Sequence, residues 1–248
     1  MIQGHTIGVV IPCHNEERGL AAILPRCPTQ VDEIVVVNNN STDRTEEVAR
    51  AHGTSVVFES VPGYGRAYQT GFAAARSDIL VTLDGDGQYP IEEVPRLVGV
   101  FLERNLDFLS GCRFPLAGKA MTLQRRVGNF LLTTVIRFLF KANVRDTQSG
   151  MWIFRRDLLQ VIRPTHHGMA FSEELKLRVI LSGFRFGEEH IPYHQREGVS
   201  TLRPLRDGWE NLRYLLQLRA ETRAARTRHD TRKTPVRASA RARAHSTR

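Results

Sequence analysis

Five short runs of β-branched and aliphatic residues, each closed by a polar turn, limit what this chain can fold into. They are Ile7-Gly-Val-Val-Ile-Pro12, Glu33-Ile-Val-Val-Val-Asn38, Ser55-Val-Val-Phe-Glu59, Ile79-Leu-Val-Thr-Leu-Asp84 and Phe108-Leu-Ser-Gly111. Runs without polar alternation suit strands covered on both faces. Between them, residues 16–27, 42–52, 64–75 and 91–103 carry helical spacing. Ser41 or Thr42 supplies an N-cap for the second of these helices, and Glu46 and Glu47 place acids in its first turn. The alternation predicts an α/β fold, with a mostly parallel, Rossmann-like sheet and helices on both faces over residues 1–112.

In open sheets of this kind, ligands bind beyond the carboxyl ends of the strands. Those ends carry Pro12-Cys13-His14-Asn15-Glu16, Asn38-Asn39-Asn40-Ser41 and Asp84-Gly85-Asp86-Gly87-Gln88. No Gly-x-Gly-x-x-Gly follows the first run, which argues against an ordinary dinucleotide-binding protein. Asp84 and Asp86, separated by one small residue on a turn, suit a hard divalent cation shared with phosphate oxygens. Gly85 and Gly87 let the backbone bend and a ligand approach.

Beyond residue 112 the pattern is less regular. Residues 123–140 carry an apolar helical stripe beside Arg125, Arg126 and Arg137, which suits either a core-facing helix or one lying in a membrane interface. Two more helices are expected, over 172–181, with Ser172 capping ahead of Glu173 and Glu174, and over 205 to about 219. From residue 219 onward, ten basic side chains face only Glu221 and Asp230, so this end holds +8 of the formal +9. Residues 223–248 are therefore expected to be a disordered basic tail, attracted to anionic lipid and, without specificity, to nucleic acid. Cys13, Cys27 and Cys112 have no disulfide or zinc spacing and fit a reducing, cytosolic setting. Neither a secretory signal nor a membrane-spanning run is evident. His14, His166 and His167 lack metal-site spacing, and Trp152 and Trp209 read as packing or interfacial residues.

Val10-Ile11-Pro12-Cys13-His14-Asn15-Glu16-Glu17, Asn38-Asn39-Asn40-Ser41-Thr42-Asp43-Arg44-Thr45, Gly63-Tyr64-Gly65-Arg66-Ala67 and Asp84-Gly85-Asp86-Gly87-Gln88-Tyr89-Pro90 together resemble the family-2 glycosyltransferases of GT-A fold. Within that family the likeness is to the dolichyl-phosphate or polyprenyl-phosphate sugar synthases, over roughly residues 5–202. The resemblance implies a nucleotide-sugar donor held by Pro12, Asn15, Glu16, Asn38, Asn39, Asp84, Gly85 and Gln88. It implies Mg²⁺ or Mn²⁺ on Asp84 and Asp86, with Gln88 at the same site. Relatives usually carry an Asp-Asp pair where Asn38-Asn39 stands here, and an amide both donates and accepts, so GDP-, UDP- and dTDP-sugars all stay open.

The later motifs, Gly111-Cys112-Arg113-Phe114, Arg125-Arg126-Val127-Gly128-Asn129, Asp146-Thr147-Gln148-Ser149-Gly150 and Arg196-Glu197-Gly198-Val199-Ser200, correspond to family segments on the acceptor side. Residues 113–222 are accordingly expected to be the acceptor-side α+β half of one catalytic domain. Arg113, Arg125, Arg126, Asn129, Ser149 and Arg196 are the acceptor-binding candidates; Asp86, Asp146, Arg113 and Arg196 are the catalytic ones. Guanidinium forks suit phosphate. A sugar hydroxyl as acceptor needs a base such as Asp146, Glu173 or Glu174, whereas a lipid phosphate is already ionised. The expected activity is an inverting transfer of a mannose- or glucose-type hexose to a polyprenyl phosphate, by an enzyme peripheral to the cytoplasmic face of the plasma membrane. A soluble or cell-envelope sugar or metabolite is the alternative acceptor. A non-catalytic nucleotide- or nucleic-acid-binding protein is the remote alternative, and no specific nucleic acid is expected as a partner.

Overall fold

The structure, a computed structural model, describes residues 1–116, 120–198 and 206–223. Its strands are β1 (Ile7–Cys13), β2 (Glu33–Asn38), β3 (Ser55–Phe58), β4 (Ile79–Thr82), β5 (Phe108–Cys112), β6 (Trp152–Arg155) and β7 (Phe186–His190). Its helices are α1 (Glu17–Ile23), α2 (Thr45–Ala51), α3 (Tyr64–Ala74), α4 (Val94–Glu103), α5 (Leu123–Phe140), α6 (Leu158–Val161), α7 (Phe171–Leu181) and α8 (206–223). The seven strands form one sheet in the order β3-β2-β1-β4-β6-β5-β7. Only β6 runs against the others.

Period-2 alternation splits the strand side chains between two layers. Val9, Val36, Val81, Leu109 and Ile153 pack with α1 and α4 on one face. Val10, Val37, Leu80, Phe108, Trp152 and Phe154 pack with α3 and α7 on the other. A third cluster joins α5, α7 and α8 through Ile136, Phe140, Leu177, Leu215 and Leu218. This is the predicted α/β sheet, mostly parallel and covered on both sides.

The reversed strand decides where the site can form. Val81 faces Ile153 and Ser110 faces Trp152, so the segment entering β6, residues 146–150, lies at the carboxyl ends of β4 and β5. An antiparallel insertion thus brings a second-half motif to the carboxyl edge of the parallel strands.

Several local expectations change. The helix expected over 16–27 ends at Ile23, where Pro25 turns the chain into a 3₁₀ segment over Leu24–Arg26. The second helix starts at Thr45 rather than 42, because Asp43 Oδ1 accepts from the Thr45 amide at 3.0 Å. Helix α7 starts at Phe171 without a side-chain cap, and Ser172, Glu173 and Glu174 are buried within it rather than forming an exposed acidic turn. Trp152 is wholly buried, whereas Trp209 on α8 is exposed. The tail beyond residue 223, expected to be disordered, lies outside the described residues, as do Val199 and Ser200.

Glu173 lies beneath α8, where its Oε1 accepts from Asn211 Nδ2 at 2.8 Å and from Gln148 Nε2. Burial pushes its carboxyl up to about 7. A carboxyl raised on folding contributes fully below its unfolded value and progressively less as pH rises through the folded one. Glu173→Gln is therefore expected to leave the melting temperature unchanged near pH 4 and to stabilise the fold by on the order of 2 kcal/mol above pH 7, read by thermal melts across that range.

Candidate active site

The loops that follow β1 and β2 are tied to each other. Asn15, at φ +59°, accepts the Thr42 amide on Oδ1 at 2.7 Å and so fastens the loop after β1 to the loop after β2. Asn38 is similarly committed: its Oδ1 accepts the Ser41 amide and its Nδ2 donates to Glu46, both at 2.9 Å. Asn39 donates to the carbonyls of Glu59 and Val61 and accepts the Gly63 amide, each at 2.9 Å. These asparagines, expected to read the base, spend their polar atoms closing loops. Asn39 still borders the cavity described below, with Pro12, His14 and Glu16.

Asp84 and Asp86 stand just beyond β4. Close packing fixes this turn, since a Cβ on Gly85 would lie 2.5 Å from Cys13 Sγ, and Gly87 takes φ +80°. Both carboxyls are raised by burial, Asp84 further by its neighbour Asp86, while the Arg196 guanidinium opposes the rise at Asp86. Arg196 Nη1 donates to Asp86 Oδ2 at 2.6 Å, and Nη2 donates to Glu16. Burial also pushes Glu16 up to about 7, with Arg196 again opposing. Backbone bonds from His194 to Gln88 and from Glu197 to Asp86, both 2.9 Å, lay the arginine's segment across the Asp-Gly-Asp turn. Gln88 Nε2 donates to the carbonyls of His194 and Ala120 at 3.1 and 3.3 Å, so its amide braces the rim.

On the acceptor side, Arg113 and Asp146 are bound to each other. Arg113 Nε meets Asp146 Oδ2 at 2.8 Å and Nη2 meets Oδ1 at 2.9 Å, with the Arg113 amide adding a bond at 3.0 Å. Asn129 Nδ2 donates to Asp146 Oδ1 at 3.0 Å. Burial alone would raise Asp146, but Arg113 outweighs it and holds the carboxyl down at about 2. A carboxylate so acidic and fully enclosed is a poor proton acceptor at neutral pH. The expectation of Asp146 as a base therefore gives way to one of an anchor, and the Arg113 fork expected to grip phosphate is turned onto Asp146.

Lys176, which sequence reading missed, donates to the carbonyls of Asp146, Thr147 and Ser149 at 3.0, 3.0 and 2.8 Å. Burial lowers it to about 8. Its only signal was a lone Lys among the apolar residues of α7.

A cavity of about 580 Å³ runs between these groups. Glu16, Asp84, Gly85, Asp86, Gln88, Arg113, Arg125, Asn129 and Arg196 are among its polar lining. Met121, Val127, Leu131, Leu132 and Met169 are apolar side chains of the same lining. Asn15, Asn38, Arg126, Asp146, Ser149, Glu173 and Glu174 do not border it. Burial and internal bonds withdraw most of these, whereas Arg126 is an exposed residue of α5. Among the described residues no group of three or more His, Cys, Asp or Glu is placed to hold a metal. Asp84 and Asp86 nevertheless fit a hard cation, which takes one or two protein carboxylates and fills its shell with phosphate oxygens and water. Their mutual repulsion is the excess negative charge such an ion relieves.

An open sheet of this order, with an Asp-Gly-Asp turn beyond a central strand, defines a GT-A glycosyltransferase. The chain belongs to glycosyl transferase family 2, whose profile matches residues 8–163. It is 34% identical over 219 residues to the low-salt glycan biosynthesis hexosyltransferase Agl6 of Haloferax volcanii, covering 85% of this chain and 53% of the relative. A dolichyl-phosphate hexose transferase of the same organism is 33% identical over 82% of this chain and 89% of its own length. Among solved structures, glucosyl-3-phosphoglycerate synthase from Mycobacterium tuberculosis, in complex with Mn²⁺, UDP and phosphoglyceric acid, superposes with a TM-score of 0.70 at 25% identity, over 86% of this chain and 78% of that one.

Removing one member of a buried ion pair costs about 3–5 kcal/mol, because the other charge is left uncompensated. Asp146→Asn is expected to lose about that much stability in urea unfolding, and Arg113→Met combined with Asp146→Asn to recover part of it.

Proposed function

We propose that the chain moves a hexose from a nucleotide sugar to a polyprenyl phosphate, with inversion at the anomeric carbon. The observation that carries this reading is the mixed lining of the cavity, which combines the carboxylates Glu16, Asp84 and Asp86 with the apolar Val127, Leu131 and Leu132 of α5 and with Arg125 of the same helix. Such a lining suits a cation-bound diphosphate, a sugar and a phosphate ester bearing a hydrocarbon chain. The naming of a relative as a dolichyl-phosphate hexose transferase supports the same acceptor class.

The acceptor phosphate needs no general base. Its oxygen attacks the anomeric carbon from the face opposite the diphosphate, the carbon–oxygen bond to the diphosphate breaks, and the nucleoside diphosphate leaves with that electron pair. This fits the withdrawal of Asp146, Glu173 and Glu174 from the cavity. Arg196 and Arg125 supply positive charge beside the reacting groups. Mg²⁺ or Mn²⁺, held by Asp84 and Asp86, would neutralise charge on the departing diphosphate. The base of the donor stays open among uracil, guanine and thymine, because Asn38 and Asn39 are engaged within the protein.

No helix among the described residues is long and apolar enough to cross a membrane. Instead, α5 exposes Leu123, Phe130, Leu131 and Phe138, and α8 exposes Trp209 and Leu216. With the exposed Arg126 and Arg137 on α5, this face suits the boundary of an anionic bilayer, and the apolar lining of the cavity continues into it at Leu131. The structural neighbour bound to phosphoglyceric acid supports a second reading, a soluble phosphorylated acceptor.

Purified protein incubated with Mg²⁺ or Mn²⁺, radiolabelled UDP-, GDP- or dTDP-sugars and a polyprenyl phosphate is expected to send label into the organic phase, and chelation to abolish it. Label confined to water with nucleoside diphosphate release dependent on phosphoglycerate would favour the second reading. Asp86→Asn is expected to lower transfer by about 10²-fold or more while remaining folded; full activity would remove Asp86 from the mechanism. Phe130→Glu combined with Phe138→Glu is expected to reduce flotation with phosphatidylserine vesicles and to leave nucleotide binding unchanged.

A further inference from the structure

Asp84 is held from behind by two phenols that the reaction scheme does not use. Tyr64 and Tyr68 lie one turn apart on α3, the spacing at which helical side chains share a face. Tyr64 Oη donates to Asp84 Oδ1 at 3.1 Å and Tyr68 Oη to the same oxygen at 3.2 Å. Their rings meet edge to face, with centroids 5.0 Å apart, and Tyr68 is packed against Trp152 and Phe171. Burial raises both phenols well above their ordinary value, so each keeps the proton it donates.

Tyr68 has only one proton, and its oxygen also lies 3.4 Å from the Gly150 carbonyl. That carbonyl is already served by Thr82 Oγ1 at 2.7 Å. The carboxylate is the closer and charged acceptor, so it draws the Tyr68 proton in preference to that carbonyl. The opposite side is equally confined. A Cβ on Gly150 would lie 2.7 Å from Tyr64 Oη and 3.1 and 3.2 Å from the two Asp84 oxygens. Tyr89 Oη accepts the Gly150 amide at 2.7 Å and fixes this backbone in place. The glycine closing the Asp146–Gly150 segment is thus the residue that leaves Asp84 room.

We infer that Tyr64 and Tyr68 are positioning residues for the divalent cation: by both gripping Oδ1 they fix the rotation of the Asp84 carboxylate and reserve Oδ2 for the metal. The inference rests on the reading of Asp84 as a metal ligand. Partners that orient a ligating carboxylate contribute to metal affinity without touching the ion. Phe in place of either Tyr keeps the ring packing and removes only the donor.

The test is Mn²⁺ affinity of the full chain, from loss of the free Mn²⁺ electron paramagnetic resonance signal, titrated in the presence of UDP and in parallel with GDP. Tyr64→Phe and Tyr68→Phe are each expected to weaken Mn²⁺ binding by about tenfold, and the double variant further. Asp84→Asn should weaken it at least as much, and adding Tyr68→Phe to Asp84→Asn should change nothing more. A purely structural role would lower the melting temperature without moving the Mn²⁺ affinity of the folded protein. Affinity of the double Phe variant within about twofold of wild type, alongside a loss in Asp84→Asn, would overturn the positioning role alone. Wild-type affinity in Asp84→Asn would overturn the metal reading of Asp84 and this inference with it.

Discussion

The bidentate pair between Arg113 and Asp146 is the interaction on which the second half of the molecule depends. Arg113 follows β5 and Asp146 precedes β6, so the pair closes the base of everything inserted between those strands. Neither group could be buried alone, because an uncompensated charge is costly to remove from water. Asn129 from α5 takes a further bond to Asp146, and Lys176 from α7 gathers the carbonyls that follow it. One sealed carboxylate therefore ties two helices and a strand entry to the rim of the cavity. This explains why the most acidic group of the site is held away from the reacting atoms.

The first half is organised by the opposite arrangement. Asp84 and Asp86 sit side by side at a strand end with raised proton affinities, and Arg196 answers only part of their charge. The same arginine reaches Glu16 and so joins three distant parts of the sequence at the carboxyl edge of the parallel strands. The Asp-Gly-Asp turn thus keeps an excess of negative charge, whereas Asp146 is neutralised by its arginine.

How much was legible beforehand follows from the same physics. Strands β1, β2 and β4 and the Asp-Gly-Asp turn were readable because an uninterrupted aliphatic run followed by a polar turn has few other interpretations. Strand β6 is four residues long and too short for any period to show, and β7, Phe-Gly-Glu-Glu-His at the sheet edge, reads as a loop. Arg113 and Asp146 were both singled out as candidates but as separate agents, since 33 residues of sequence conceal a side-chain pairing. Asn15, Asn38 and Asn39 were read for their chemistry toward a nucleotide, and their hydrogen bonds to neighbouring loops do not show in the sequence. Lys176 and Tyr68 escaped because a buried donor looks, in sequence, like any other residue of its helix, and Tyr64 stood in a quoted motif without a role of its own.

The pairing of β5 with β6 has a further consequence. Ser110 and Trp152 are neighbours across one ladder although 41 residues lie between them, so the intervening excursion leaves and re-enters the sheet at a single point. Loop-closure entropy grows only slowly with length, and an excursion with pinned ends can be lengthened or rebuilt at little cost to its host. The excursion between Arg113 and Asp146 is in this sense a cartridge seated in a fixed socket, exchangeable without disturbing the strands that hold the Asp-Gly-Asp turn.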